Sequence, residues 1–364
     1  MTKMVSITGA FGMSFVDRLK LDLPVVQAPM AGVSTPLLAA RVSEAGGLGS
    51  IGVGAVDAGA AHAMIAELRE RTGRPFNVNL FVHQPATPDP AREAAWLAWL
   101  APLFAEFGAS PPTALREIYK SFADDPHMLA MLLEVAPPVV SFHFGLPGRD
   151  VIEALRARGV YTMATATSLD EAQRIAAAGI DAVVAQGIEA GGHRGVFDPE
   201  APDDALATVA LTRLLVRATS LPVVAAGGIM DGAGIAAALD LGAVAAQLGT
   251  AFIACPESTA SDAYRAALAG EGGYHTVLTS LISGRPARAL ANRFTALGEQ
   301  RSGCRPPDYP IAYDAGKALH AAAVAKGEHG FGAYWAGQGA PLARAMPAAA
   351  LVRTLGEELA ASRR

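Results

Sequence analysis

Eight short apolar runs, spaced by stretches of helical pattern, constrain this chain more than any other feature of its 364 residues. They are Val25–Met30, Leu48–Val53, Phe76–Phe81, Val139–Phe144, Val160–Ala166, Ala182–Gln186, Pro222–Ile229 and Ala243–Gly249. Each is continuously apolar rather than alternating, as a parallel strand covered on both faces should be. Between them, Pro36–Ala45, Ala58–Arg71, Arg149–Arg158, Leu169–Ala178, Asp204–Ala218 and Gly232–Leu241 read as helices. Ser168 and Asp231 supply side-chain oxygens for helix starts, and Gly46, Gly159, Gly179 and Gly242 stand where helices should stop. Eight β/α alternations in about 250 residues predict an α/β fold, a (β/α)8 TIM barrel. A doubly wound open sheet is the rival topology.

Two segments break the rhythm. Residues 85–137 form an over-long connection after the third run, containing Trp96, Trp99, Phe104, Phe107 and Tyr119. Residues 256–324, after the eighth run, show helical patterns over Ser261–Ala269, Leu290–Leu297 and Asp314–Val324. Both follow strand C-termini, the face where barrels of this kind carry their sites, so both read as cover for a ligand. The expected organisation is a barrel over 1–255 with a helical insertion at 85–137. A smaller helical, substrate-covering domain follows at 256–324, and a C-terminal helical segment, 325–364, returns to the barrel.

Charge and composition narrow the class. A net charge of −5 leaves no basic excess for phosphate backbones, which argues against a nucleic-acid partner. Hydrophobic residues at 51% against 17% charged argue for a large core and against disorder. Cys255 and Cys304 are too few for a disulfide framework or a cysteine-rich metal site, so no metal is expected. The charge-free stretch Leu23–Ala40 is interrupted by Pro24, Pro29 and Pro36, which argues against a membrane span. Lys3 followed by the mildly apolar Val5–Val16 only faintly resembles a signal peptide, diluted by Gly9 and Gly12. A cytoplasmic protein is the expectation.

Several motifs carry chemistry. Gly227 and Gly228 end the seventh run, and Leu248-Gly249-Thr250 ends the eighth. Loops after strands seven and eight are the recurrent phosphate site of this architecture, because glycine lets backbone N–H groups approach closely. Gly47-Leu48-Gly49-Ser50-Ile51-Gly52 satisfies G-x-G-x-x-G but overlaps a strand instead of opening a helix, so it reads as packing. The glycine-rich loop Gly187–Gly195 carries His193 and Arg194, either anion ligands or surface caps, and begins beside Gln186, whose amide suits a heterocycle edge. His143, between Phe142 and Phe144 near a strand end, is a base or an electrostatic anchor. Asn77 and Asn79 share one strand face and need partners. Gln27–Gly32 offers a small-residue bend that could lie flat on a planar ring. Tyr309, Tyr313 and Lys317 are spaced four apart and, if helical, line one face with donors suited to a small anion. No G-x-S-x-G elbow, H-E-x-x-H pair or Walker loop occurs.

Together, Gln27–Gly32, Asn77–Phe81, Ser141–Gly145, Gln186–Gly195, Gly227–Gly228 and Gln247–Thr250 resemble the nitronate monooxygenases, formerly called 2-nitropropane dioxygenases, over about residues 22–320. The resemblance is to the bacterial class I branch. It implies a barrel binding flavin mononucleotide (FMN) through Asn79, Gln186, Gly191, Gly227, Gly228, Gln247, Leu248, Gly249 and Thr250, with Met30 and Ala31 behind the ring. It places His143 at the active-site histidine and Tyr119, Tyr264, Tyr309, Tyr313 and Lys317 around the substrate. The implied reaction converts alkyl nitronates such as propionate 3-nitronate, with O2, to a carbonyl product and nitrite through a flavin semiquinone. The alternative on the same barrel is an NAD(P)H-dependent reductase of quinones or enoyl thioesters. A homodimer is the candidate assembly.

Overall fold

The computed structural model describes residues 14–298 and 304–364. Most of the apolar N-terminal stretch Val5–Val16 therefore lies outside the described residues. Among the described residues there are eleven strands: β1 (Val25–Gln27), β2 (Gly49–Gly52), β3 (Phe76–Phe81), β4 (Val139–His143), β5 (Tyr161–Ala166), β6 (Ala182–Gln186), β7 (Gly192–His193), β8 (Val223–Ala226), β9 (Ala245–Leu248), β10 (Thr276–Thr279) and β11 (Ala287–Leu290). Eight of them pair in parallel in the order β1-β9-β8-β6-β5-β4-β3-β2. A parallel bridge between Val26 and Leu48 joins β1 to β2 and closes the ring. The expected (β/α)8 barrel is the observed fold.

The predicted helices form with the predicted ends. Ser168 accepts from Glu171 N, and Asp231 accepts from Gly234 N. Gly46, Gly159, Gly179 and Gly242 turn the chain in the left-handed region at φ +97°, +79°, +82° and +99°. Of the G-x-G-x-x-G glycines, Gly49 and Gly52 belong to β2 and Gly47 precedes it: a Cβ on Gly49 would lie 1.9 Å from the Ala39 carbonyl oxygen, so glycine there admits a helix against the strand.

Six of the eight strands stop or start one or more residues inside their apolar runs. The trimmed residues include Phe144, at φ +76°, Gly227, at φ +123°, and Gly228, at φ +71°, which turn outward at the C-terminal rim. Apolar composition marks the run but not where the ladder ends, because the residues that turn away at the rim are themselves apolar or glycine.

Inside the barrel, Gln27, Ser34, Ser50 and Asn77 form a polar network in which Asn77 Oδ1 alone is left without a partner. Gln27 Oε1 accepts from Ser50 N (2.8 Å), and its Nε2 donates to Ser34 Oγ (2.9 Å). Asn77 donates to Ser50 Oγ at 3.2 Å. The wall between strands and helices is apolar, built on residues such as Ile51, Val78, Leu80, Phe142 and Leu155.

The two over-long connections meet above the rim. The Pro90–Glu106 helix brings Trp96, Leu100 and Phe104 against Phe294, Leu319 and Phe331. The Pro126–Val135 helix instead returns to the barrel wall through Met128, Met131 and Leu132. The cover is not purely helical, which corrects one expectation. β10 and β11 form a hairpin that pairs onward to β7, so a three-stranded antiparallel sheet lies over the loop after β6. β10 and β11 are four residues long and β7 two, too short to display a period, and the expected Leu290–Leu297 helix shrinks to Arg293–Ala296 behind the Asn292 capping box. The C-terminal helix, Ala348–Ser362, packs against the barrel, and Glu358 accepts from Gly232 N (2.9 Å). Among the described residues, no helix is long and apolar enough to cross a membrane.

Candidate active site

A cavity of about 180 Å³, partly open to solvent, lies at the C-terminal rim between barrel and cover. Its two ends differ in chemistry.

One end is made of backbone. Gly191, Gly227, Gly228, Gly249 and Thr250 line it. Among the described residues, the N–H groups of Gly228, Gly249 and Thr250 donate to no acceptor. Gly337 and Gly339 close this end from the C-terminal segment, with Gly337 N donating to Thr250 Oγ1 at 3.0 Å. A Cβ on Gly191 would stand 2.4 Å from Gly337 N, so the two loops meet only because both are bare. Unclaimed N–H groups around a side-chain-free hollow fit a phosphate.

The flank carries amides. Met30, Ala31, Asn79 and Gln247 line the cavity, and Gln247 spends no side-chain hydrogen bond on a described residue. Asn79 Nδ2 donates to Ser141 Oγ at 2.9 Å. Gln186 reaches the cavity, but its amide is engaged within the protein. Nε2 donates to the His193 carbonyl (3.0 Å), and Oε1 accepts from Gly195 N (2.7 Å). Gln186 therefore shapes the loop that carries His193. Leu248 departs from the expected set: its side chain is buried in the barrel core and does not line the cavity.

The other end is aromatic. Tyr119, Tyr264, Tyr309, Tyr313, Phe144 and Trp335 converge there. Tyr309 lies before the Ile311–Val324 helix, so the four-residue stripe is helical only from Tyr313 onward. Burial pushes the phenols of Tyr119 and Tyr313 up to about 12 and that of Tyr309 well above its ordinary value, so all remain O–H donors. Tyr264 donates to the Trp335 carbonyl. The Tyr309 hydroxyl is buried without a partner. Lys317 is not in the wall, contrary to its expected place around the substrate. It is exposed, with its ammonium 4.9 Å from the Tyr119 ring and 5.2 Å from the Tyr313 ring.

Two histidines line this end, and their nitrogens differ in freedom. His143 Nε2 lies 3.2 Å from the His193 carbonyl, which can only accept, so Nε2 carries the hydrogen. Its Nδ1 then accepts from Thr165 Oγ1 at 3.0 Å. His193 Nε2 pairs with Ser283 Oγ (2.9 Å), whose own hydrogen goes to the Arg285 carbonyl, so His193 also carries hydrogen on Nε2. His193 Nδ1 has no partner among the described residues. Burial holds His143 down at about 4 and His193 at about 3, with nearby Arg285 adding to both, so both rings are neutral at ordinary pH. Arg194 is neither a surface cap nor an anion ligand. It is 1% exposed and forks onto Asp203 at 2.7 and 2.9 Å.

Sequence reasoning missed Thr165, Trp335, Gly337, Gly339 and Arg285. The run Tyr334-Trp335-Ala336-Gly337-Gln338-Gly339, mixing aromatics with glycines inside an alanine-rich tail, was the available signal.

A barrel with a phosphate-sized backbone hollow at its rim, and a covered pocket of phenols and neutral imidazoles beside it, defines a cofactor-dependent barrel enzyme for small substrates. Residues 14–358 match the family model described as "Nitronate monooxygenase", and the chain belongs to that family, a family of flavoprotein oxidoreductases. It is 62% identical over 341 residues to a nitronate monooxygenase of Paraburkholderia phytofirmans, covering 94% of this chain and 93% of that one. The structure of nitroalkane oxidase from Streptomyces ansochromogenes superposes with a TM-score of 0.85 at 43% identity, covering 94% of this chain and 97% of that one. FabK from Thermotoga maritima follows at 0.74 and 30%, covering 97% and 98%.

Proposed function

We propose that this chain binds FMN at the rim and oxidises alkyl nitronates, such as propionate 3-nitronate, with O2 to a carbonyl product and nitrite. The observation that carries the reading is the pairing of an unclaimed N–H hollow with the buried, partnerless hydroxyl of Tyr309 a short way along the same cavity. Gly228, Gly249 and Thr250 would hold the FMN phosphate. Asn79 and Gln247 would meet polar ring edges, and Met30 and Ala31 would back the ring. Bound FMN supplies the electron acceptor and the route to oxygen, chemistry that no side chain here provides.

The residues of the chain orient the substrate and control protons. Tyr309, Tyr313 and Tyr119 stay protonated and donate to the negative oxygens of a nitronate. The nitronate is already deprotonated, so it needs no base. A neutral nitroalkane would need one, and His193 Nδ1 is the open acceptor. His143 braces His193 by donating to its carbonyl.

The test is nitrite release from propionate 3-nitronate in air, with and without NADH. Nitrite in both reactions, with NADH unconsumed, is expected. Rapid NADH oxidation without nitrite would overturn the reading in favour of an NAD(P)H-dependent reductase of quinones or enoyl thioesters.

A further inference from the structure

Three arginines are buried beside the cavity, and among the described residues only Arg194 has a carboxylate partner; Arg288 donates to the Ile188 carbonyl and to Thr276 Oγ1 instead. Arg194, 1% exposed, has Asp203 as its bidentate partner. Arg285, 2% exposed, lies in the turn between β10 and β11 and has no carboxylate within ion-pair distance among the described residues. One of its nitrogens donates to the Val196 carbonyl, and its Nε is buried without a partner. Glu171 and Asp198 act on it only from farther away. The carboxylate of Glu171 is already taken by Thr167 N, Thr167 Oγ1 and Phe197 N. A buried guanidinium without a countercharge is costly and asks for one from outside the fold.

The cavity is where one would come from. The Arg285 guanidinium carbon lies 4.3 Å from the centroid of the Phe144 ring. Phe144 lines the cavity, with His143, His193 and Tyr309 at ring distances of 4.5, 5.6 and 5.4 Å. Its backbone is in the left-handed region at φ +76°, an unfavourable conformation for a phenylalanine, held here by packing on every side.

We propose that Arg285 is a specificity-determining residue that selects the anionic nitronate over the neutral nitroalkane of the same carbon skeleton. It touches no substrate. It acts through the Phe144 ring as a fixed cation in a low-dielectric wall, where a charge is little screened by salt. A nitronate in the cavity feels the full charge, and a neutral nitroalkane feels only its effect on a dipole. Burial lowers the guanidinium only to about 10, so the charge persists at neutral pH.

This inference rests on the nitronate reading, and one set of measurements separates the two. Ethyl nitronate and freshly dissolved nitroethane are compared on the flavin-loaded enzyme, by KM for the first and by KM or inhibition constant for the second. Arg285→Met is expected to raise the nitronate KM at least about tenfold and to move the nitroethane constant and kcat less than about threefold. Arg285→Lys, which keeps the charge but not the guanidinium that donates to the Val196 carbonyl, is expected to stay within about threefold of the natural protein on both. Equal losses on both compounds, no loss on either, or a lysine variant as impaired as the methionine one would overturn the inference and leave Arg285 a clamp on Val196. Should the methionine variant fail to fold, Arg285→Gln, which is neutral but can still donate to the Val196 carbonyl, decides by the same criterion. A natural enzyme that releases no nitrite overturns function and inference together; an active one with unchanged selectivity in Arg285→Met overturns the inference alone.

Discussion

The two ends of the cavity are built on opposite principles. The phosphate-sized end is a surface of backbone, where the absence of side chains makes room. The aromatic end is made of side chains whose ionisation is fixed by burial. The backbone end should tolerate no added atoms yet be indifferent to pH, whereas the aromatic end should tolerate conservative truncation yet respond to protons.

The sharpest way to break this contrast is to add atoms at the backbone end. Gly191→Val places a branched side chain where even a Cβ would lie 2.4 Å from Gly337 N. The 336–339 loop must withdraw, taking with it the Gly337 bond to Thr250. We expect a loss of FMN affinity above about 100-fold, near 3 kcal/mol, read as flavin absorbance lost on gel filtration. Retention of full colour would show that the hollow is not where the cofactor sits.

At the aromatic end, His193→Gln removes an imidazole nitrogen that lines the cavity and has no partner among the described residues. Turnover of a neutral nitroalkane should fall about 10²–10⁴-fold, the range for a lost general base, with nitronate turnover falling far less. Equal losses on both would make His193 a structural residue. The same burial predicts an acid-sensitive fold. His83 and His143 are held at about 4 and His193 at about 3, chiefly by desolvation, against about 6.5 when unfolded. Below pH 6.5 the unfolded chain takes up protons that the folded one refuses, so stability is full above that pH and drains as pH falls toward 4. Between pH 6.5 and 5 the loss should be on the order of 2 kcal/mol per histidine, measurable as a falling urea midpoint. A flat midpoint would mean that these rings take protons while folded.

How much was legible follows the same division. The barrel, the helix stops at Gly46, Gly159, Gly179 and Gly242, and the glycines of the backbone end stand out because they answer to local rules of burial, φ and close approach. Which imidazole nitrogen is open does not stand out, because it depends on Ser283 and on the His193 carbonyl, which meet only in three dimensions. Gln186 looked like a ligand group and proves to spend its amide on the loop beside it. The β10–β11 hairpin was invisible for a related reason. Four-residue strands carry no period, and their pairing with β7 is long-range.

Tyr309→Phe probes the aromatic end by subtraction, and activity and stability should move in opposite directions. The lost charge-assisted hydrogen bond should cost about 1.5–3 kcal/mol in kcat/KM for the nitronate. Without ligand, the hydroxyl is buried and unpartnered, so deleting it should stabilise the protein by about 1 kcal/mol, seen as a higher Tm of the flavin-loaded, substrate-free enzyme. A lower Tm would show that the hydroxyl has a structural partner.

The smallest effect belongs to Lys317. Its ammonium is exposed and held over two rings, so it contributes long-range attraction and about 0.5–1 kcal/mol of ring placement. Lys317→Ala should raise the nitronate KM about two- to fivefold at low salt, and most of that difference should vanish near 0.5 M salt, where the Debye length falls to roughly 4 Å. Arg285, buried behind Phe144, should show no such relief. A loss above about 50-fold for Lys317→Ala, unchanged by salt, would mean that the ammonium swings inside to touch substrate, and the exposed and buried cations would then no longer differ in kind.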